Sequence, residues 1–534
     1  MNKIKSIPII DLFAGPGGLG EGFSAFQHHQ HPAFQICLSI EKDYHACRTL
    51  RLRSFFRKIP FPQIRDAYAD FAKSAKTEEN EKNLFSCFKE AEKESRLEVL
   101  NKELGSSDFP MEDIDSLIRD HLSGAKNWVL IGGPPCQAYS LAGRSRMSKV
   151  RKENPDKFER DERHYLYQHY LRIIAKHRPP VFVMENVKGM LSSTIKGKFI
   201  IKKIINDLEH PLKNSDLKYN LHPFVKDSNQ ENLFKEDDQN YSNSFIIKSE
   251  NFGIPQARHR VIILGVRSDI DIMPKHLSDT IPPLVLRDII SDLPPIRSEL
   301  SCRGGRNGNW KEHINEIKSI CKNGNVNLGV KKQIYQNVEQ LRYELSTGEE
   351  WMNYPKLPTG RPKKILSEWY RNPNLGGVCN HESRSHMPSD LRRYFFASCF
   401  ALAENPEGKH RSPVLSDFPK ELLPAHNNID PDNIRKVMFN DRFRVQLWDN
   451  PATTITSHIS KDGHYFIHPD PRQCRSLSVR EAARIQTFPD SYIFLGPRTS
   501  QYQQVGNAVP PLLSLKLAEI VFDLMKRWEK RADG

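Results

Sequence analysis

The stretch that most constrains this chain is a short apolar run that ends in a rigid turn. Residues 128–131 are all apolar, and residues 132–137 read Gly-Gly-Pro-Pro-Cys-Gln. Such a run, bounded by glycine and proline, is typical of a buried strand that stops abruptly. Because ligands of open α/β sheets bind outside the carboxyl ends of strands, Cys136 is predicted to lie where chemistry takes place. A buried, unreactive cysteine is the alternative interpretation.

A second strand and loop open the chain. Residues 7–13, which are apolar except for Asp11, read as a buried strand, and a glycine-rich loop follows them. In that loop Gly15, Gly17 and Gly20 satisfy the pattern G-x-G-x-x-G, and Glu41 follows roughly 20 residues later, where an acid that binds a ribose belongs. The pattern predicts a nucleotide-like cofactor. It does not separate a nicotinamide dinucleotide from S-adenosylmethionine, because both carry an adenosine.

Polar residues accompany two further apolar runs. Glu185 follows the apolar residues 181–184, so it is predicted at the same sheet edge as the cysteine, where a carboxyl group can exchange protons with a ligand. A helix cap or a surface charge is the alternative. Gln256, Arg258 and Arg260 alternate along the chain, so a period of two predicts them on one face of a single strand. Two arginines there need an anionic or carbonyl-bearing partner, unless they form a surface ion-pair ladder.

The composition excludes several classes of protein. The formal net charge of the 534 residues is +14, the sign expected of a protein that neutralises phosphates. The sequence has no apolar run long enough to span a membrane. Nine cysteines without a Cys-x-x-Cys pair argue against a disulfide framework and against a structural zinc site. A reducing cytoplasm and no bound metal are therefore expected.

The pattern along the chain predicts two domains. Residues 1–268 are predicted to form a catalytic and cofactor-binding domain, with an amphipathic helical insertion at about residues 66–126. Residues 269–475 mix basic, aromatic, proline and glycine residues, which is typical of a smaller, loop-rich domain that binds nucleic acid. Residues 476–503 are predicted as a helix linking the domains, and residues 504–534 as a segment that returns to the first domain.

Six motifs resemble, in order, those of the DNA (cytosine-5) methyltransferases. They are DLFAGPGG (11–18), GPPCQ (133–137), ENV (185–187), QARHR (256–260), REAAR with FPD (480–484 and 488–490) and GNAVP (506–510). Chance does not supply six motifs in sequence, so the chain is identified as a member of this family, of the bacterial restriction-modification type. The resemblance implies an α/β fold, a doubly wound and mostly parallel sheet typical of S-adenosylmethionine-dependent methyltransferases, with a second, smaller recognition domain.

The resemblance also implies a reaction. A methyl group would pass from S-adenosylmethionine to C5 of cytosine within a specific sequence of double-stranded DNA, on a base flipped out of the duplex. Cys136 would add to cytosine C6 as the nucleophile, and Glu185 would act at N3. Arg258 and Arg260 would hold O2. The basic segment 138–163 would close over the DNA.

A cofactor pocket is implied in the same way. Its residues would be Phe13, Gly15, Gly17, Gly18, Leu19, Glu41, Pro135, Leu166 and Asn507. Lys42 stands where family members often have a tryptophan that stacks on the adenine, so the adenine contact is not assigned.

Other functions remain open. A tRNA cytosine-5 methyltransferase would share the cysteine, the glutamate and the cofactor loop, although the long segment before residue 475 favours DNA. A catalytically inactive nucleic-acid-binding relative and a nicotinamide-dependent oxidoreductase are further alternatives. The expected partners are double-stranded DNA and a cognate restriction endonuclease. A monomer associated with the nucleoid is expected in the cytoplasm.

Overall fold

A computed structural model describes most of the chain. The described residues are 6–135, 166–192, 194–195, 198–212, 215–226, 238–279, 282–301, 310–324, 326–341, 345–357, 364–372, 375–405, 407–425, 429, 434, 437 and 439–532. Two predictions, the nucleophile Cys136 and the loop at 138–163, fall outside them.

The chain divides into two compact units. Unit 1 comprises Met1–Ile59, Phe88–Pro283 and Ala508–Gly534, and unit 2 comprises Pro60–Cys87 and Leu284–Asn507. The first part of the predicted insertion at 66–126 therefore lies in unit 2. The functional domains assigned from the sequence remain a prediction.

Unit 1 is built on one large sheet. Its strands are β1 (Ile7–Leu12), β2 (Phe34–Glu41), β3 (Val99–Asn101), β4 (Val129–Gly132), β5 (Val181–Val187), β6 (Tyr219–Pro223), β7 (Ile246–Lys248) and β8 (His259–Arg267). Their spatial order is β6-β8-β5-β4-β1-β2-β3, and β7 also pairs with β8. The neighbouring pairs β3–β2, β2–β1, β1–β4 and β4–β5 are parallel. Strand β8 is antiparallel to β5, β6 and β7.

Helices occupy much of the rest of both units. They are α1 (Gly18–Ala25), α2 (Tyr44–Lys58), α3 (Phe61–Lys73), α4 (Glu78–Ser86), α5 (Lys89–Glu98), α6 (Met111–Leu122), α7 (Leu166–His177), α8 (Ile200–Glu209), α9 (Asp238–Ser244), α10 (Leu286–Ile290), α11 (Trp310–Asn323), α12 (Leu328–Glu339), α13 (Pro388–Leu402), α14 (Val479–Ile485), α15 (Arg498–Asn507) and α16 (Pro511–Ala532). Among the described residues, no helix is both long and apolar enough to cross a membrane.

Alternating apolar residues bury both faces of the sheet. In β1, Ile9 packs into the core that contains residues of α1 and α16, and Ile10 packs into the core that contains residues of α6, α7 and α8. Helix α1 approaches α16 so closely that a Cβ atom on Gly22 would lie 2.4 Å from the carbonyl of Pro511. A sheet with helices on both faces and mostly parallel strands is doubly wound, which confirms the predicted fold class.

Two local predictions differ from the structure. The insertion is not wholly helical, because β3 pairs with β2 and extends the sheet. Three residues between charged stretches carry too little alternation to indicate a strand. Residues 476–503, predicted as one helix, contain α14 and the start of α15. Helix α14 ends at Ile485 because Thr487 adopts a left-handed conformation, with φ +63°.

Unit 2 has its own core. One apolar cluster of unit 2 includes residues of α11, α12 and α13, among them Ile317, Ile334 and Phe395. Strands β9 (Gly348–Asn353) and β10 (Gly377–Glu382) form an antiparallel pair. Helix α14 begins with a capping box, in which the Ser478 hydroxyl accepts from the N–H of Glu481 and the Glu481 carboxylate accepts from the N–H of Ser478.

Candidate active site

One edge of the sheet in unit 1 collects the predicted site residues. The parallel strands β1, β2, β4 and β5 end there, and the antiparallel β8 begins there. The register places Arg260 opposite Val187 and Ile262 opposite Glu185. Residues that are distant in sequence therefore meet at the position where open α/β sheets bind ligands.

Glu185 and Arg260 form an ion pair at this edge. Arg260 Nε lies 2.9 Å from Glu185 Oε1, and the two side chains are 13% and 12% exposed. A Cβ atom on Gly133 would lie 3.1 Å from Glu185 Oε2, so the carboxylate is in contact with the Gly-Gly-Pro-Pro turn. Burial lowers the pKa of Arg260, and the charge of Glu185 counteracts that effect. The pair places one carboxylate and one guanidinium, both largely removed from solvent, beside the turn that leads to Cys136.

Arg258 is fully buried next to this pair. Burial lowers its pKa well below the ordinary value, and the positive charge of Arg260 lowers it further. The single strand predicted for Gln256, Arg258 and Arg260 is wrong. The chain forms separate strands at Gln256–Ala257 and in β8, because the N–H of Arg258 turns back to the carbonyl of Gln256 at 2.8 Å.

Asn186 fixes the turn after β4. Its Nδ2 donates to the carbonyl of Pro134 at 3.1 Å, and its Oδ1 accepts from the N–H of Val187 at 2.8 Å. A Cβ atom on Gly132 would lie 2.6 Å from the carbonyl of Leu12, so only glycine fits there. Sequence reasoning did not assign Asn186 this function, although its place beside Glu185 was a usable signal.

The glycine loop after β1 adopts left-handed backbone conformations. The φ angles of Phe13, Gly15 and Gly17 are +57°, +57° and +92°. A Cβ atom on Gly15 would have no described atom within 4 Å, so open space adjoins the backbone at that point. A Cβ atom on Gly18 would lie 2.2 Å from the carbonyl of Val509. Only glycine therefore fits where the start of α1 packs against Val509.

Glu41 lies at the end of β2 and reaches this loop. Its Oε2 accepts from the N–H of Gly15 and its Oε1 from the N–H of Asp43, each at 2.8 Å. Burial raises its pKa, and the two N–H donors oppose that rise. The carboxylate is therefore oriented beside the open space at Gly15, where an adenosine ribose would need it.

The other predicted cofactor residues lie in varied settings. Leu19 is buried in the core, Leu166 is the buried first residue of α7, and Pro135 is partly exposed. Asn507 is exposed and belongs to unit 2, where it is the last residue of α15. The structure therefore brings Phe13, the glycines and Glu41 together within unit 1.

Asp11, which the sequence reasoning did not single out, is the most unusual group near the loop. It lies in β1, is 1% exposed, and neither carboxyl oxygen has a hydrogen-bond partner in the described part of the chain. Burial raises its pKa to about 8, which Arg57 opposes and Glu41 reinforces. A Cβ atom on Gly20 would lie 2.9 Å from Asp11 Oδ2, so the carboxyl lies beneath α1. A charged residue inside an apolar strand was the available signal.

Replacing Asp11 with asparagine is expected to make folding stability less dependent on pH. Because the pKa is about 8 in the folded chain against 3.8 for the free group, the folded state retains the proton. Its stabilising contribution is complete below about pH 4 and declines by roughly 1.4 kcal/mol per pH unit as the pH rises toward 8. When thermal unfolding is measured from about pH 5 to pH 9, the variant should not show the decline in stability that ionisation of Asp11 causes. Identical pH profiles for both proteins would contradict the assignment.

Comparisons with known proteins show the family of the chain. The sequence model of a family described as C-5 cytosine-specific DNA methylase matches residues 73–523. The chain is 33% identical to the type II methyltransferase M.Bpa9945I of Bacillus paralicheniformis, over 97% of this chain and 99% of the relative. The chain belongs to the C-5 cytosine-specific DNA methylase family. The reaction class of this methylase is therefore cytosine-5 methylation of DNA, as the six motifs indicated.

Two further likenesses agree. The methylase is 26% identical to the type II methyltransferase M.DdeI of Desulfomicrobium norvegicum, over 96% of this chain and 87% of the relative. A protein described as a DNA modification methyltransferase encoded within a prophage of E. coli superposes with a TM-score of 0.50 at 16% identity, covering 98% of the methylase and 100% of that chain. This last likeness concerns the fold alone, and it confirms the methyltransferase fold.

Proposed function

We propose that the methylase modifies C5 of cytosine within a specific sequence of double-stranded DNA, with S-adenosylmethionine as the methyl donor. The observation that carries the proposal is the Glu185–Arg260 ion pair, largely removed from solvent, against Gly133, three residues before Cys136. This arrangement suits an aromatic base that needs a hydrogen-bonding acid at one ring atom and a cationic donor at its carbonyl.

Cytosine C5 is a weak nucleophile, so the ring needs activation. In the proposed reaction the Cys136 thiolate forms a bond to C6, and the electron pair of the C5–C6 double bond moves toward C5. Glu185, which carries a proton in this step, donates it or a hydrogen bond at N3, so that negative charge does not accumulate on the ring. Arg260, with Arg258 behind it, donates to O2. After C5 is methylated, its proton is lost to solvent and the C5–C6 double bond re-forms. The bond from C6 to sulfur breaks with its electron pair returning to the Cys136 thiolate, and N3 returns its proton to Glu185.

The glycine loop and Glu41 fit the cofactor. The open space beside Gly15 lets a ligand approach the backbone, and Glu41 Oε1 and Oε2 each keep a lone pair for a ribose hydroxyl. When bound, S-adenosylmethionine supplies an electrophilic methyl group on its sulfonium. Phe13, Gly17 and Gly18 would line the methionine side, and Leu19, Pro135 and Leu166 would complete the pocket.

The substrate duplex sets further requirements. A stacked base cannot reach a pocket at the sheet edge, so the target cytosine must be flipped out, at a cost of a few kcal/mol. We assign base recognition to residues 269–475 and closure over the flipped base to 138–163. We further propose that the enzyme is a cytoplasmic, nucleoid-associated monomer. A restriction endonuclease that cuts the same sequence would accompany it.

Transfer of a labelled methyl group tests the proposal. Purified enzyme with labelled S-adenosylmethionine is expected to label unmethylated bacterial DNA and to leave unmodified tRNA unlabelled. Label in tRNA alone would replace the proposal with its tRNA alternative. Stabilisation against heat by NAD rather than by S-adenosylhomocysteine would favour an oxidoreductase.

A further inference from the structure

A short turn holds the beginning of β8. Strand β7 ends at Lys248, opposite His259, and a 3-10 helix follows at Ser249–Phe252. The N–H and the hydroxyl of Ser249 both donate to the carbonyl of Arg258, at 3.2 and 2.6 Å. The turn is therefore attached to the two residues that immediately precede Arg260.

A side-chain pair adds a second attachment. His259 Nε2 lies 2.8 Å from Glu250 Oε1, and the side chains are 31% and 22% exposed. Glu250 Oε2 is buried and has no hydrogen-bond partner among the described residues. The carboxylate is thus directed at the histidine, and its position depends on that contact.

The carbonyl of His259 connects this pair to the site. Arg260 Nη1 donates to it at 2.9 Å, while Nε of the same guanidinium faces Glu185. The positive charge of Arg258 opposes this placement, since two buried guanidinium groups repel each other. The orientation of Arg260 therefore needs support from the backbone on which it sits.

We propose that Glu250 and His259 are a positioning pair for the reaction. They fix the peptide whose carbonyl accepts the hydrogen bond from Arg260 Nη1. The guanidinium is thereby held against Glu185 and oriented toward cytosine O2. This inference rests on the proposed function for its kinetic consequence, whereas the orientation of Arg260 can be measured independently of it.

The kinetic test uses Glu250→Ala, His259→Ala and the double variant in the full-length enzyme. Each single change is expected to lower kcat on the order of tenfold, with the KM for DNA and for S-adenosylmethionine unchanged, because a misplaced group costs rate rather than binding. The double variant should be no slower than either single one, since both act through one contact. His259→Arg, which retains a donor toward Glu250, should recover most of the rate.

Arg267→Gln is the matched control. Arg267 forms a two-bond ion pair with Asp269 at the other end of β8, so loss of this pair should leave kcat unchanged. An equal loss of kcat in this control would mean that any weakened strand slows the enzyme, which would overturn the proposal. Single variants with wild-type kcat would overturn it as well.

The Nε–H resonance of Arg260 provides the independent measurement. In arginine-labelled protein, with the signal assigned by Arg260→Lys, it should shift in Glu250→Ala and stay in place in Arg267→Gln. An unmoved signal in Glu250→Ala would refute the positioning pair. If Glu250→Ala moves this signal as expected but the wild-type enzyme labels no DNA, the proposed function fails and the positioning pair stands.

Discussion

Replacing Glu185 with glutamine is expected to lower kcat for methyl transfer by about a thousandfold, within the range that general acid-base groups contribute. Glutamine keeps the shape of the side chain but cannot deliver a proton or charge to N3. It also leaves Arg260, which is 13% exposed, facing a neutral group. Binding of S-adenosylhomocysteine should be unchanged, because Glu185 lies on β5 and the glycine loop follows β1.

Single-turnover kinetics and calorimetric titration measure these two effects. Glu209→Gln is a suitable control, since Glu209 is a partly buried glutamate of unit 1 in contact with Tyr241. A Glu185→Gln rate within about tenfold of wild type would remove Glu185 from the chemistry.

The largest effect on stability is expected from Arg484→Met in unit 2. The Arg484 guanidinium is fully buried, binds both oxygens of Asp490 at 2.7 and 2.9 Å, and also contacts Asp292. These carboxylates raise its pKa in spite of burial. Without the cation both aspartates lose a buried partner, which costs about 3 to 5 kcal/mol.

Chemical denaturation followed at unit 2 tests this expectation. Arg287→Met is the matched control, because Arg287 makes a similar two-bond pair with Asp449 at the surface, where ion pairs contribute about 1 kcal/mol or less. Equal losses in the two variants would show that burial of the Arg484 network does not matter.

Much of the sheet edge that holds Glu185 could be predicted because its signals are local. The apolar runs at 128–131 and 181–184 mark β4 and the first part of β5, and strands buried on both faces require such runs. Parallel pairing then places their ends together. A helix was likewise predicted for the region of the REAAR motif. The partners of its buried arginines, however, could not be assigned from the sequence.

The remaining features depend on contacts between distant residues. The bond from Asn186 to Pro134 joins positions 52 apart, and no local pattern encodes it. The break at Arg258 overrides a regular alternation, because a backbone hydrogen bond to Gln256 turns the chain. The lack of a hydrogen-bond partner for Asp11 among the described residues depends on the positions of all the groups around it.

The central claim, cytosine-5 methylation of DNA through Cys136, is tested most directly by bisulfite sequencing. Genomic DNA would be taken from a methylation-free bacterial host that expresses this chain or its Cys136→Ala variant. The account predicts 5-methylcytosine at one recurrent sequence with the intact protein and none with the variant. Unmodified DNA from well-expressed intact protein, or equal methylation with the variant, would contradict it.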